Sequence, residues 1–208
     1  MLVTKRDGTK EAFSVEKIHK IVEWATKGIN GVSFSDIEMN ANLSIHDGIE
    51  TAKIHEILIK SANELISTTS PNYQYVAARL LNMQLRKDVW GDVCPTDFQT
   101  FLKRNMDNGI YDPTFVEKWD QVEIGILGNY INHNRDDLFT YAGLQQMIDK
   151  YLVKNRSTGV IHETPQFAYM SIAMCLFSSL DDVKEAYDCY STFQINLPTP
   201  IMAGVRTN

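Results

Sequence analysis

Apolar residues recur at helical spacing through the first part of the chain. In residues 14–28 they fall every three or four positions, between a serine that can cap a helix and a glycine that can end one. Two more stretches with this spacing begin at Thr51 and at Ser70, where the proline that follows suits a first helical turn. Residues 35–38 have the Ser-x-x-Glu form of a capping box and predict a further helix start. The pattern therefore predicts four helices before residue 91.

The first residues follow a different pattern, which is typical of strands. Two short apolar stretches, LVTK and EAF, flank Asp7-Gly8, and this dipeptide favours the tight turn of a β-hairpin because glycine accepts a positive φ. A hairpin over residues 2–14 is therefore predicted ahead of the four helices.

The second half of the chain is also mainly helical in pattern. Helices are predicted at four places: opening at Asp112-Pro113, over residues 136–152, opening at Thr164-Pro165, and over residues 182–193. A hairpin turn is predicted at Ser157–Gly159. The tail INLPTPIMAGV (195–205) contains two prolines and predicts an extended segment. We expect residues 190–208 to be frayed in isolation, because their apolar side chains would have no partner surface.

Composition limits the classes of function. The 208 residues are 44% hydrophobic and 22% charged, as in ordinary globular proteins. The longest apolar run, near residues 169–177, is too short to cross a bilayer, and Met1 leads into no apolar signal segment. Residues 92–208 hold 9 basic and 15 acidic residues, which accounts for the net charge of −6 and disfavours a nucleic-acid partner. We expect a cytoplasmic protein with neither a membrane nor a nucleic acid as partner.

Cysteine spacing and known motifs predict no catalytic group. Cys94, Cys175 and Cys189 form no Cys-x-x-Cys motif, so neither a disulfide framework nor a zinc site is predicted. Cys175 and Cys189 are expected in cores and Cys94 at the surface. The sequence contains no GxxxxGK[ST], GxGxxG or HExxH motif. We therefore expect no catalytic constellation, metal or redox cofactor within these residues.

Basic residues around the predicted hairpin suggest a phosphate site. Lys5 and Arg6 follow the first strand, Lys17 lies one turn into the next helix, and Lys87 lies near the end of the fourth. If the hairpin folds over the helices, these cations can converge on a triphosphate through charge-assisted hydrogen bonds, with Glu11 as an acceptor for a base or ribose. The alternative is a set of solvated lysines on a charge-balanced surface.

The segment LVTKRDG…E…S…KIH, followed by T-x-x-I-H, resembles the ATP-cone of the large subunit of class I (aerobic) ribonucleotide reductases, in their bacterial and T4-type phage branch. The resemblance implies a bound ATP or dATP effector, accompanied by Mg²⁺, and a backbone contact of the base with the first strand. It places the following residues around the nucleotide: Val3, Lys5, Arg6, Glu11, Ser14, Lys17, Ile18, Thr51, Ile54, His55 and Lys87. For His55 the alternative is a packing histidine.

The later sequence is similar to the helical domain that precedes the ten-stranded barrel of the same reductases. Three segments carry this resemblance: PNYQYVAARL (71–80), HNRDDLFTYAGLQQMIDKYLVKNRSTGVIHETPQF (133–167) and YSTFQINLPTPIMAGVRT (190–207). The threonine of LPTP, Thr199, is implied in substrate binding, whereas its position between two prolines also suits a plain turn residue. The expected domains are an ATP-cone (1–91), a helical domain (92–190) and the start of the barrel (191–208).

The resemblance implies a mainly α chain, with a short hairpin capping a four-helix bundle, that regulates the reduction of ribonucleoside diphosphates to deoxyribonucleoside diphosphates. ATP would favour the active state and dATP the inhibited one. The catalytic cysteines are expected beyond residue 208, so the chain alone is expected to be inactive. The expected partners are the remaining C-terminal part of the large subunit, in the same chain or in trans, and the small radical-generating subunit. A stand-alone nucleotide sensor and a remnant without regulatory effect remain alternatives.

Overall fold

The computed structural model describes residues 1–5, 7–42 and 44–207, and they form two compact units. The first unit contains residues 1–84 and a short later segment, 139–144. The second contains residues 85–138 and 145–208. Neither unit is therefore one continuous stretch of chain. The three-domain division of the chain remains a prediction.

The first unit begins with the predicted β-hairpin. Strand β1 (Leu2–Thr4) pairs with β2 (Lys10–Ala12) in antiparallel register. The turn between them contains Gly8 at a φ of 82°, a left-handed value that a side chain would strain. The Asp7 carboxylate accepts hydrogen bonds from the amide and the hydroxyl of Thr9, at 2.9 and 2.6 Å. The prediction of a hairpin around Asp7-Gly8 is confirmed.

Four helices follow the hairpin, as predicted: α1 (Val15–Thr26), α2 (Phe34–Asn42), α3 (Thr51–Glu64) and α4 (Tyr73–Trp90). Ser14 caps α1 by accepting a hydrogen bond from the Lys17 amide at 3.3 Å. The capping box predicted at Ser35 is wrong, because it is Ser33 whose hydroxyl accepts the amide of Asp36, at 3.3 Å. A helix that opens at Ser33 leaves the side chain of Ser35 inside its first turn.

One apolar core holds the first unit together. Its buried members come from the hairpin and from all four helices: Val3, Ile18, Val22, Ala25, Ile37, Ala41, Ile49, Ile54, Leu58, Ile59, Ala62, Tyr73, Val76, Ala77 and Leu80. Tyr141, from the segment 139–144, packs against this core from a distant part of the sequence. The Tyr73 hydroxyl accepts the Ser33 amide at 2.9 Å and so ties α4 to the start of α2.

The second unit is helical. Its elements are α5 (Phe98–Asp107), α6 (Pro113–Val116), α7 (Gln121–Tyr130), a 3₁₀ helix (His133–Leu138), the end of α8 (Tyr141–Gln146), a π-helical turn (Met147–Tyr151), α9 (Pro165–Leu176), α10 (Leu180–Ser191) and α11 (Thr199–Gly204). The single helix predicted over 136–152 is therefore wrong. Three different helical forms share that stretch. The chain does turn at Ser157–Gly159, as predicted, but among the described residues only one antiparallel bridge, between Lys154 and Ile161, flanks the turn.

The apolar tail differs most from its prediction. Thr199–Gly204 is a helix and not an extended segment, because Pro200 lies in the first turn, where its missing N–H leaves no helical hydrogen bond unmade. Arg206, which follows this helix, is completely buried and paired with the buried carboxylate of Glu163. A long-range ion pair thus fastens the end of the described chain. The fraying expected for residues 190–208 remains a prediction.

Cys175 and Cys94 lie in different environments. Burial raises the pKa of the Cys175 thiol to about 12, which leaves it protonated and unreactive at neutral pH. Cys94 is exposed, as predicted. Within residues 1–5, 7–42 and 44–207, no helix is both long and apolar enough to cross a membrane. The same described residues contain no group of three or more metal-ligating His, Cys, Asp or Glu side chains.

Candidate functional site

The hairpin is fastened to the segment that leads into α3. The Thr4 amide donates to the Ile49 carbonyl at 3.0 Å, and the Gly48 amide donates to the Leu2 carbonyl at 2.9 Å. The Asp47 carboxylate accepts the Leu2 amide at 2.7 Å. Strand β1 therefore lies between β2 and residues 47–50, which contain a turn at 47–48 and one parallel bridge from Glu50 to Thr4. This pairing brings the hairpin next to the first turn of α3.

The apolar members of the predicted nucleotide site come together in one cluster. Val3, Ile18 and Ile54 are buried and belong to the core of the first unit. Val3 also pairs with Glu11 across the hairpin, so one residue of this apolar cluster lies directly opposite the acidic side chain. These three side chains stabilise the fold whether or not a ligand is present.

The charged members form a small exposed group centred on Glu11. The Lys17 ammonium donates to Glu11 Oε1 at 3.1 Å, and the Lys5 ammonium lies 3.8 Å from Glu11 Oε2. The side chains of Lys5 and Lys17 are 47% and 67% exposed, so each ion pair is weak, at roughly 0–1 kcal/mol. The Ser14 cap fixes Lys17 in the first turn of α1. Two cations thus share one carboxylate at the edge of the hairpin.

Thr51 and His55 lie on α3. Thr51 is the first residue of the helix, after Glu50 at the cap position. His55 is buried, and its Nε2 lies 2.7 Å from the Leu80 carbonyl oxygen. A carbonyl only accepts, so this nitrogen carries a proton and the ring is held against α4. This bond matches the packing alternative, and a nucleotide contact by His55 remains a prediction.

Two predicted residues are not placed with this group. Arg6 lies outside the described residues. Lys87 lies near the end of α4, in the part of that helix that belongs to the second unit. The roles predicted for both residues remain predictions.

Thr199 is exposed in the first turn of α11, within the second unit. This short helix is held by Arg206, whose Nε donates to Glu163 at 2.9 Å and whose Nη1 donates to the Met202 carbonyl at 2.7 Å. The third guanidinium nitrogen, Nη2, also donates to Glu163 and donates to the Tyr151 carbonyl at 3.0 Å. Burial alone would lower the pKa of Arg206, but the charge of Glu163 outweighs burial and raises it.

Both carboxylate oxygens of Glu163 accept hydrogen bonds from several donors. Besides Arg206, it accepts the Val153 amide at 2.6 Å and the hydroxyl of buried Tyr111. The pKa of Tyr111 is raised, first by burial and then by the Glu163 charge. Sequence reasoning missed this network because its members lie far apart in the chain and match no short motif. The same is true of Asp47, which holds the hairpin.

Comparison with known proteins gives a consistent result for both parts of the chain. Residues 1–88 match the family model of the ATP cone domain, and residues 137–208 match that of the ribonucleotide reductase all-alpha domain. The chain is 45% identical to ribonucleoside-diphosphate reductase 1 subunit alpha of Salmonella typhimurium and 44% identical to that of Escherichia coli, over its full length. It is 43% identical to the reductase subunit alpha of Enterobacteria phage T4 over 99% of its length.

The chain spans 28% of the length of each of these three relatives. The match to an all-alpha domain over residues 137–208 agrees with the helical second unit described above. The chain therefore belongs to the family of ribonucleotide reductase alpha subunits, and it matches their N-terminal part.

Proposed function

We propose that the first unit binds ATP or dATP at the hairpin and that this binding regulates a ribonucleoside-diphosphate reductase. The observation that carries the proposal is the shared salt bridge of Lys5 and Lys17 with Glu11. Two ammonium groups held a few ångströms from one carboxylate can move to the oxygens of a triphosphate at little cost, because exposed ion pairs contribute little stability.

The adenine and ribose would lie against the apolar cluster formed by Val3, Ile18 and Ile54. Glu11, released by its two lysines, would accept hydrogen bonds from the base or the ribose. Arg6, Thr51, His55 and Lys87 are proposed to complete the site. Mg²⁺ would arrive with the nucleotide, held mainly by its phosphate oxygens.

Regulation requires that the two effectors prefer different states. ATP and dATP differ by one hydroxyl, so the site can act as a switch only if that hydroxyl changes the relative affinity of two assembly states. We propose that ATP favours the active state and dATP the inhibited one. The cytoplasm, where nucleotides are made and consumed, is the proposed location.

The reaction itself is proposed for the complete enzyme, which converts ribonucleoside diphosphates to deoxyribonucleoside diphosphates for DNA synthesis. Thr199 is the residue of this chain proposed to contact the substrate. The cysteines that reduce the ribose would come from the remainder of the alpha subunit, in the same chain or in trans, and the radical from the small subunit.

The test is calorimetric titration of the 208-residue chain with ATP and with dATP, in the presence of Mg²⁺. We expect binding in the micromolar range and a loss of at least tenfold in affinity for the double variant Lys5→Ala, Lys17→Ala, because each residue contributes a charge-assisted hydrogen bond worth about 1.5–3 kcal/mol.

A matched control removes two lysines that pair elsewhere in the same unit. Lys20 pairs with Glu16 and Lys60 with Glu64, each one helical turn away. The variant Lys20→Ala, Lys60→Ala should bind both nucleotides like the unmodified chain. Equal weakening in the two double variants would point to net charge alone and refute the proposed site. Absence of binding in the unmodified chain would leave the first unit as scaffold.

A further inference from the structure

A cavity of about 630 Å³ opens in the second unit, beside the last described helix. Its walls are the segment from Asp149 to Arg156, together with His162, Ile110, Ala203 and Thr207. The segment from Asp149 to Arg156 includes the end of the π-helical turn and the antiparallel bridge at Lys154. The volume suits a small organic ligand.

The lining is positively charged within an acidic part of the chain. It includes Lys150, Lys154 and Arg156, against a single carboxylate, Asp149. Both oxygens of Asp149 accept the side-chain amide of Gln145, at 3.2 and 3.1 Å, so this carboxylate is engaged outside the three cations. Residues 92–208 carry 15 acidic and 9 basic residues, which makes a concentration of unneutralised cations unusual.

The basic residues of the cavity differ from others of the unit in their partners. Lys103 pairs with Asp107 and Arg135 with Asp188. Among the described residues, by contrast, Lys150 and Arg156 form no ion pair, and Lys154 donates only to a backbone carbonyl, that of Asp149, at 2.8 Å. Cations that gather around a concave surface without carboxylate partners are suited to an anionic ligand from solution.

We infer that this cavity binds a phosphate-bearing ligand through Lys150, Lys154 and Arg156. A guanidinium binds two phosphate oxygens in one plane, and ammonium groups supply point charges beside it. Three cations match the charge of a diphosphate or triphosphate better than that of a single carboxylate. Tyr151, Leu152 and Ile110 offer apolar surface in the same cavity, which can receive a base or a ribose. The ligand is therefore a nucleoside phosphate or an inorganic polyphosphate.

His162 contributes hydrogen-bonding capacity without charge. Burial and then the nearby Arg104 lower the pKa of its imidazole, so it is neutral at pH 7. The attraction of the cavity for phosphate therefore comes from the lysines and the arginine, and it should persist above pH 7 and weaken with added salt.

The experiment is a titration of the nitrogen-15-labelled chain, in the variant Lys5→Ala, Lys17→Ala, so that the first unit contributes no binding at those lysines. The probes are inorganic pyrophosphate and ADP, each without added metal. We expect amide shifts to change at residues 149–156 and 203–207. Adding Lys150→Ala and Arg156→Ala should weaken binding by roughly tenfold or more, because two charge-assisted contacts are lost.

The control adds Lys103→Ala and Lys184→Ala instead, which removes the same charge away from the cavity and should leave the affinity unchanged. Tighter binding of ADP than of pyrophosphate would identify a nucleoside phosphate as ligand, and equal binding an inorganic polyphosphate. Shift changes scattered over the surface, no shift changes, or equal weakening in both sets of variants would overturn the inference. Unchanged thermal unfolding of each variant verifies that the fold is intact.

Discussion

Neutralising Glu163 should destabilise the second unit more than any single surface change. Glu163 and Arg206 are both fully buried, and the carboxylate also accepts the Val153 amide and the Tyr111 hydroxyl. Glu163→Gln keeps the shape of the side chain but leaves the guanidinium charge buried without its counter-charge. Breaking a buried pair from one side costs about 3–5 kcal/mol, a large part of a typical domain stability of about 5–15 kcal/mol.

The assay is urea unfolding followed by tryptophan fluorescence in a Trp24→Phe background. Trp24 is exposed in the first unit, whereas Trp90 and Trp119 lie in the second, so the remaining signal reports the second unit alone. We expect Glu163→Gln to lower the free energy of unfolding by about 3–5 kcal/mol and the melting temperature by on the order of 10 °C.

Two comparisons isolate the ion pair from general loss of charge. Asp107→Asn also removes one carboxylate of the second unit, but Asp107 and its partner Lys103 are both exposed, so the cost should stay below about 1 kcal/mol. Replacing both partners, as Glu163→Leu with Arg206→Met, should cost less than Glu163→Gln alone, because no buried charge is left unpaired. A loss below about 1 kcal/mol for Glu163→Gln would refute the reasoning.

Two further predictions concern pH and helix capping. Burial and then the charge of Arg86 lower the pKa of His133 to about 4. His133 is therefore protonated below about pH 6.5 in the unfolded chain but only below about pH 4 in the folded one. Because the unfolded state binds more protons in this range, the free energy of unfolding should fall by about 2 kcal/mol from pH 7 to pH 5. His133→Gln should remove that part of the loss in urea titrations at the two pH values, and an unchanged loss would contradict the assignment. Ser33→Ala should lower the free energy of unfolding, measured by thermal unfolding, by about 1 kcal/mol, because it removes the cap of α2. Ser35→Ala should lower it by less than about 0.5 kcal/mol. A larger effect of Ser35→Ala would support the capping box at Ser35.

Local signals predicted the fold where neighbours in sequence determine the structure. Asp7-Gly8 predicted its hairpin because the turn depends on the conformational freedom of two residues. Thr51 and Ser14 marked helix starts because a helix begins where its first amides find acceptors or water. At residues 33–38 two serines compete for the same helix start, and local sequence alone does not rank them.

Contacts between distant residues were out of reach of the sequence pattern. The prolines of the tail suggested an extended chain, but Arg206 and Glu163, which are 43 residues apart, hold that region as a helix against the rest of the unit. For the candidate site, the sequence indicated the cations and Glu11, because they recur in a recognisable segment. It did not indicate that Glu11 would hold two lysines at once, since that depends on the angle between hairpin and α1.

The inclusion of residues 139–144 in the first unit affects how the chain folds during synthesis. Tyr141 packs against a core whose other members end near residue 81, so a loop of about sixty residues must close before that core is complete. Strictly sequential folding, with the first unit finished before the second begins, is incompatible with this connectivity. Higher contact order slows the first unit, and a chain cut after residue 91 would leave the surface beneath Tyr141 open to water.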